Sequence, residues 1–160
     1  GIDFAKKHKN IIVTRTFSKI FGLASLRLGW CYAHNDIIQL MNKVRGPFNI
    51  NQIAQTAGVE ALKDKKYIKN SINHNKFWLR KMNNELSKLP IQVCDSRANF
   101  LLLNIGKSVK ILNRFLLSKS VIVRLMDKYN LPQYIRVSIG TSKENKKFIK
   151  SMKEFFNGKK

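Results

Sequence analysis

The sequence predicts an α/β fold in which a long helix joins two regions that each contain strands. Residues 11–14 and 28–33 are apolar, partly β-branched runs of the kind that forms buried strands. From about Lys65 to Leu89, apolar residues recur at three- and four-residue or longer steps, which favours a single helix with one apolar face. Beyond Pro90 the pattern alternates again between short apolar runs and helical periodicity. These observations together predict an α/β protein.

Shorter helices accompany the first two predicted strands. The lysine-rich residues 1–10 are expected to form the end of a surface helix and its loop. Asn35 or Asp36 can cap a second helix, which Gly46-Pro47 would end. In a third helix, at about residues 51–62, small residues recur at helical spacing, which suits close packing. These small residues are Ala54, Ala57, Gly58 and Ala61.

The region beyond the long helix predicts a small sandwich with helices on one face of a sheet. The predicted strands are 91–94, 99–105, 121–123 and 134–139. Ser108 is expected to cap one helix, and Thr141 with Glu144 has the spacing of a capping box that begins the last helix. Phe77 and Trp78, on the long helix, are predicted to anchor the core.

The chain is strongly basic, with 31 basic against 9 acidic residues and a net charge of +22. This charge raises the hypothesis of a nucleic-acid-binding module. Lysine outnumbers arginine 23 to 8, however, whereas the reading of bases favours arginine, and the lysines are scattered over helix faces. We therefore expect non-specific attraction to polyanions at low salt and no specific nucleic-acid site.

Cysteine, histidine and hydropathy patterns exclude several other classes. Cys31 and Cys94 lie in apolar runs and are interpreted as reduced core thiols, which is typical of a cytoplasmic enzyme. His8, His34 and His74 lack the spacing of metal ligands and are expected to be surface residues. No apolar run approaches the ~20 residues of a membrane span, so no membrane partner is expected.

One polar cluster stands just beyond the first predicted strand. It contains Thr16, Ser18 and Lys19, with Arg27 eight residues further on. A lysine amine can attack a carbonyl when its surroundings lower its pKa, and hydroxyls with a guanidinium bind phosphate well. An aldehyde that carries a phosphate would use all of these groups, and pyridoxal phosphate is such a molecule. On spacing alone, a strand end with a solvated lysine and arginine remains the alternative.

The segment RTFSKIFGLASLRLGW, residues 15–30, closely resembles the cofactor-lysine motif of fold-type-I, class-II-like aminotransferases, in the histidinol-phosphate aminotransferase branch. The likeness covers nearly the whole chain in the order of the family. Its further segments are KVRGPFNINQIAQTAGVEAL (43–62), DSRANFLLLNI (95–105), SVIVR (120–124) and YIRVSIGTSKEN (134–145).

The resemblance implies specific roles for residues of this chain. Lys19 would be the catalytic lysine that forms a Schiff base with pyridoxal 5'-phosphate, and Thr16, Ser18 and Arg27 would hold the cofactor phosphate. Arg136 would bind the anionic end of the substrate, with Arg124 as a second anchor and Asn99 as a further contact. The reaction implied is transfer of an amino group from L-histidinol phosphate to 2-oxoglutarate, in histidine biosynthesis, by a cytoplasmic homodimer.

The resemblance also implies how the chain divides. Residues 1–75 would be the C-terminal portion of the large cofactor-binding domain, and residues 76–160 the small C-terminal domain. The aspartate that pairs with the pyridine nitrogen lies roughly thirty residues before the lysine in this family, whereas Asp3 precedes Lys19 by only sixteen. The chain opens on Gly1, so we expect it to be the C-terminal part of a longer enzyme and to be inactive alone. Aromatic aminotransferases and threonine-phosphate decarboxylases share much of the pattern and remain alternatives.

Overall fold

The structure, a computed structural model, describes residues 1–158. Its backbone divides into two units, the first covering Gly1–Ile72 and the second starting at Asn73. In chain order, the elements of the first unit are α1 (Ile2–Lys7), β1 (Val13–Thr16), β2 (Gly29–Tyr32), α2 (Asn35–Val44), α3 (Gln52–Lys63) and α4 (Lys65–Leu86), and α4 continues into the second unit.

The strands β1 and β2 form an antiparallel pair in which Val13 lies opposite Tyr32 and Thr16 opposite Gly29. A side chain at Gly29 would not fit, because a Cβ there would lie 2.8 Å from the carbonyl oxygen of Arg15. The first strand begins two residues later than predicted, and of its four residues only Val13 is buried. The prediction of a buried strand over residues 11–14 was therefore wrong in both its limits and its burial.

The caps of α2 and α3 are side chains that precede each helix. His34, rather than Asn35 or Asp36, caps α2, because its Nδ1 accepts a hydrogen bond from the backbone N–H of Asp36 at 3.4 Å. Asn51 caps α3, where its Oδ1 accepts from the N–H of Ala54 at 2.8 Å. The predicted extent of α3 is confirmed to within one residue at each end.

The second unit contains a four-stranded antiparallel sheet in the order β3-β4-β6-β5. Its elements after α4 are β3 (Gln92–Val93), β4 (Phe100–Asn104), α5 (Val109–Ser118), β5 (Arg124–Leu125), β6 (Tyr134–Ser138) and α6 (Ser142–Asn157). The predicted strand 121–123 was wrong. The N–H of Val121 donates to Leu116 and finishes the preceding helix, and Ile122 is 85% exposed, so pairing with β6 begins only at Arg124.

The core of the second unit lies between one face of the sheet and the helices α4, α5 and α6. The sheet residues in this core are Leu101, Leu103, Ile135 and Val137. The helix residues are Trp78, Met82, Leu86, Leu112, Leu116, Phe148, Met152 and Phe155. Each such buried side chain stabilises the fold by roughly 1.5–3 kcal/mol. The opposite face of the sheet carries Phe100, Leu102, Arg136 and Ser138, which alternate with the core residues.

Only one of the two aromatic residues expected to anchor α4 is buried. Trp78 is 2% exposed and its Nε1 donates to the hydroxyl of Ser142 at 3.2 Å, whereas Phe77 is 57% exposed. Adjacent residues of a helix point in directions about 100° apart, so one of two neighbours faces outward. The Phe77 ring contacts the Trp78 ring edge-on, with 5.4 Å between centroids.

Both cysteines are free thiols, and each is partly buried rather than buried as predicted. Within residues 1–158, no cluster of histidine, cysteine and carboxylate side chains could hold a metal ion. Among the helices of the same residues, none combines the length and the apolar character that a membrane crossing requires.

The predicted capping box of α6 is confirmed. Thr141 accepts a hydrogen bond from the N–H of Glu144, and the carboxylate of Glu144 accepts from the N–H of Thr141 at 2.7 Å and from its hydroxyl at 2.8 Å. These two bonds, that from the backbone first, lower the pKa of the Glu144 carboxyl below its ordinary value of 4.5. The ionised form therefore stabilises the folded state.

We expect the capping box to make the free energy of unfolding depend on pH. A carboxyl whose pKa is lower in the folded state contributes stability above its unfolded pKa and loses it as the pH falls through its folded pKa. Glu144→Gln should thus be less stable than the wild type at neutral pH, and the difference should shrink as the pH falls below 4.5, the ordinary pKa of the carboxyl. Denaturant unfolding at several pH values measures this. Thr141→Ser, which keeps the hydroxyl, is the control and should follow the wild type; a pH-independent difference for Glu144→Gln would contradict the account.

Candidate active site

Lys19 lies in the loop that connects β1 to β2, residues 17–28, which we call the lysine loop. Backbone hydrogen bonds close this loop on itself. The N–H of Phe17 donates to Leu28, the N–H of Leu23 donates back to Phe17, and the N–H of Gly22 donates to Lys19, each at 3.0 Å. Gly22 has a φ of 70°, a left-handed conformation in which glycine carries no steric penalty. Hydrogen bonds within the loop therefore fix the backbone conformation around Lys19.

The lysine loop packs on α3 at the position of Gly58. Phe17 is 5% exposed, and a Cβ placed on Gly58 would lie 3.7 Å from the Phe17 ring and would overlap the Leu28 side chain. The ring of Phe21 lies beside that of Phe17, with 4.6 Å between centroids. Gly58, one of the small residues predicted to suit close packing of α3, thus receives both ends of the loop that carries Lys19.

The other three residues predicted for the cofactor site lie at the two ends of the same loop. The backbone N–H of Ser18 donates to the hydroxyl oxygen of Thr16 at 3.0 Å, which holds the two hydroxyl-bearing residues in one turn. Arg27 follows a 3-10 turn, Ala24–Leu26, and has a left-handed backbone with a φ of 54°. Its Nη1 donates to the carbonyl of Ala24 at 2.6 Å, which leaves the other guanidinium donors available.

The charge around this loop is positive and uncompensated. The sequence has no carboxylate between Asp3 and Asp36, whereas Arg15, Lys19 and Arg27 all fall in that interval. Lys19 is exposed, and no hydrogen-bond acceptor or carboxylate of residues 1–72 pairs with its ammonium group. The acidic residues of the first unit are engaged elsewhere. Asp3 pairs with Lys6, Asp36 with His34, Glu60 with Lys63, and Asp64 accepts from the N–H of Tyr67.

This donor set fits pyridoxal phosphate chemically. A phosphate needs several donors and no competing carboxylate, and two hydroxyls with one guanidinium supply these donors. The aldehyde needs a primary amine that is not held in an ion pair, and Lys19 supplies it. Every polar side chain of the lysine loop is cationic or bears a hydroxyl, which favours an anion site over the alternative interpretation, a solvated strand end.

The second unit brings together two of the three residues predicted for substrate binding. Arg124 and Arg136 lie directly opposite each other in the β5–β6 pair. The guanidinium carbon of Arg136 lies 5.0 Å from the centroid of the Phe100 ring, and that of Arg124 lies 5.8 Å from the Tyr129 ring. The Nε of Arg136 is buried and has no hydrogen-bond partner among the described residues. Two facing arginines without a carboxylate partner favour an anion with more than one negative oxygen.

Asn99 contributes to this region through its backbone. Its carbonyl oxygen accepts from the N–H of Ile139 at 2.8 Å and joins the chain just before β4 to the chain just after β6. Its side chain is exposed, so its role in binding substrate stays a prediction. Sequence reasoning missed Phe100, whose ring lies under the guanidinium of Arg136. The alternation along β4 and β6 could have placed both residues on the same face, but only after the register of the two strands was known.

Comparison with known proteins identifies the family of this chain. The family described as aminotransferase class I and II matches residues 1–152. A histidinol-phosphate aminotransferase from Pelagibacter ubique is 47% identical over 161 residues, which cover 98% of this chain and 45% of that protein. The chain thus spans less than half the length of this curated relative.

Solved structures share the fold. The histidinol-phosphate aminotransferase from Clostridium acetobutylicum is 26% identical with a TM-score of 0.90, over 98% of this chain and 49% of that one. The enzyme of the same name from Sinorhizobium meliloti, solved in complex with pyridoxal-5'-phosphate, is 24% identical with a TM-score of 0.82, over 94% and 42% of the two chains. On the family match, which covers nearly the whole chain, this protein belongs to the class I and II aminotransferases.

Proposed function

We propose that this chain is the C-terminal part of a pyridoxal-phosphate-dependent histidinol-phosphate aminotransferase. The reaction is L-histidinol phosphate plus 2-oxoglutarate to imidazole-acetol phosphate plus L-glutamate, a step of histidine biosynthesis. The observation that carries the proposal is the 47% identity, across 98% of the chain, to the Pelagibacter protein of that name. The end of β1 and the lysine loop support it, because the exposed amine, the two hydroxyls and the guanidinium that they carry are the groups that such a cofactor needs.

Different residues of β1 and the lysine loop bind different parts of the cofactor. Arg27 and the hydroxyls of Thr16 and Ser18 bind the phosphate, and Lys19 binds the aldehyde carbon through its amine. Pyridoxal phosphate, when bound, supplies an electron sink that stabilises negative charge on the α-carbon of the substrate. Because hydrogen bonds within the loop close it, the phosphate ligands and the amine are carried on a backbone of fixed conformation.

Lys19 has a second role as the acid and base of the reaction. With the amino substrate bound, the free amine Nζ of Lys19 would remove the proton from the α-carbon. The same Nζ then returns a proton to complete the transfer of the amino group.

Arg136 and Arg124 bind the anionic end of the substrate. A phosphate monoester presents several oxygens, which suits two guanidinium groups on opposing strand positions better than a single carboxylate would. The ring of Phe100 holds one face of Arg136 and leaves its edge for the ligand. Asn99 is proposed as a further contact near the same strand ends.

The assembly and setting follow from the proposed activity. We propose a cytoplasmic homodimer in which residues 1–75 end the large domain and residues 76–160 form the small one. Residues needed for turnover, including a partner for the pyridine nitrogen, would lie outside residues 1–160, so this piece alone would be inactive. The net charge of +22 would serve no specific nucleic-acid site, because the basic residues are mostly lysines spread along helices.

The covalent role of Lys19 can be tested directly. Borohydride reduction of the full-length protein with bound cofactor should fix the cofactor on Lys19, and peptide mass spectrometry should locate it there. Lys19→Ala should lose turnover by at least about a thousandfold, because both the covalent link and the proton carrier are gone. Lys9→Ala, an exposed lysine nearby, should behave like the wild type. An adduct on any lysine other than Lys19 would contradict the assignment.

The substrate can be tested with a panel of amino donors on the full-length protein. Histidinol phosphate should give the largest kcat/KM, and its dephosphorylated form should be at least about a hundredfold worse, because the arginines lose their anion. Phenylalanine and tyrosine test an aromatic aminotransferase, and release of carbon dioxide from threonine phosphate tests a decarboxylase. A preference for either of these over histidinol phosphate would refute the proposed substrate while leaving the cofactor chemistry intact.

A further inference from the structure

The chain that follows β6 is held by a buried asparagine. Asn145 is 2% exposed, and its Oδ1 accepts from the N–H of Gly140 while its Nδ2 donates to the carbonyl of the same residue, both at 2.9 Å. One side chain thus satisfies both backbone groups of Gly140. Gly140 lies four residues beyond Arg136 in the chain.

Two consecutive residues of α4 hold the same region from the other side. The Nε2 of His74 lies 2.9 Å from the carbonyl oxygen of Gly140. The Nδ2 of Asn75 donates to the carbonyl of Ala98 at 3.1 Å. The helix therefore contacts the chain just after β6 and the chain just before β4. We call His74, Asn75 and Asn145 the strand-end clamp.

The two segments held by the strand-end clamp are the ones that fix Arg136 against Phe100. The N–H of Ile139 donates to the carbonyl of Asn99 at 2.8 Å, and Phe100 pairs with Ser138 in the next step of the ladder. A shift of either segment would move the Phe100 ring relative to the guanidinium of Arg136. β4 begins and β6 ends here, so Phe100 and Ser138 form the last pair of the ladder between them.

Helix capping does not account for Asn145. The start of α6 is already capped by Thr141 and Glu144, and Ser142 is held by the indole N–H of Trp78. Asparagine in a helix interior is less favourable than alanine, since its side chain competes for backbone groups. The buried amide makes both of its hydrogen bonds to Gly140. It therefore controls the position of the strand end.

We propose that His74, Asn75 and Asn145 are positioning residues that orient Arg136 for the anionic end of the substrate. This inference rests on the proposed function, in which Arg136 binds that end. Each of these hydrogen bonds goes to the backbone of Gly140 or Ala98, so the strand-end clamp acts on the chain that carries Arg136. Its loss should therefore weaken substrate binding and leave the chemical step intact.

The test is a double-mutant cycle in the full-length enzyme. Asn145→Ala should raise the KM for histidinol phosphate about tenfold with kcat nearly unchanged, because binding is lost equally from the ground and transition states. Arg136→Ala should raise it further. In the Arg136→Ala background, Asn145→Ala should add little, since a residue that acts only through Arg136 has nothing left to orient. Asn75→Ala, which removes a single hydrogen bond, repeats the test if Asn145→Ala does not fold.

Controls separate positioning from general stability. Glu85→Gln breaks the pair between Glu85 on α4 and Lys153 on α6, away from the strand-end clamp, and should lower the Tm without changing KM. His74→Gln, which can still donate to Gly140, should keep more affinity than His74→Ala. Equal KM values for wild type, Asn145→Ala and Asn75→Ala, or fully additive effects with Arg136→Ala, would overturn the inference. A wild-type enzyme that does not distinguish histidinol phosphate from histidinol would instead refute the proposed function.

Discussion

The packing of Phe17 and Leu28 against Gly58 is the contact on which the candidate active site depends. These two residues end the lysine loop on either side, and both meet α3 where it has no side chain. With its ends held, the loop closes through backbone hydrogen bonds and keeps Lys19 between the hydroxyl-bearing turn and Arg27. The constraint is steric, because protein interiors are packed so closely that even one added methylene is felt.

Charge decides what this arrangement can bind. Repulsion between its cations would destabilise the lysine loop. In the sequence of the first unit, no carboxylate lies close to this loop to offset the positive charge. In the second unit, Arg124 lies opposite Arg136, and each guanidinium has an aromatic ring beside it. Both regions would therefore gain from an anion, and in the proposed function these anions are the cofactor phosphate and the anionic end of the substrate.

Local signals predicted a good part of this structure and failed where pairing partners decide. The capping box at Thr141 and the extent of α3 are encoded within a few residues, and both predictions are confirmed. The strand expected at 121–123 was wrong because its apolar residues do not indicate where pairing with β6 begins.

Contacts between parts of the chain that are distant in sequence could not be predicted either. The aromatic support of Arg136 requires the register of β4 against β6, which no single segment contains. The hydrogen bonds of His74 and Asn75 to Gly140 and Ala98 join residues far apart in sequence. The site residues themselves were named from a motif, and their side-chain roles stay predictions until the cofactor is measured on them.

Cofactor affinity of a Gly58→Leu variant of the full-length protein, followed by absorbance titration, tests the central claim most directly. The added side chain must displace Phe17 and Leu28, so pyridoxal phosphate should bind at least about tenfold more weakly, since overpacking shifts the backbone that carries the ligands. Gly46→Ala is the matched control, because a Cβ there has nothing within 4 Å, and it should bind like the wild type. Unchanged affinity in Gly58→Leu would show that the lysine loop does not depend on this contact.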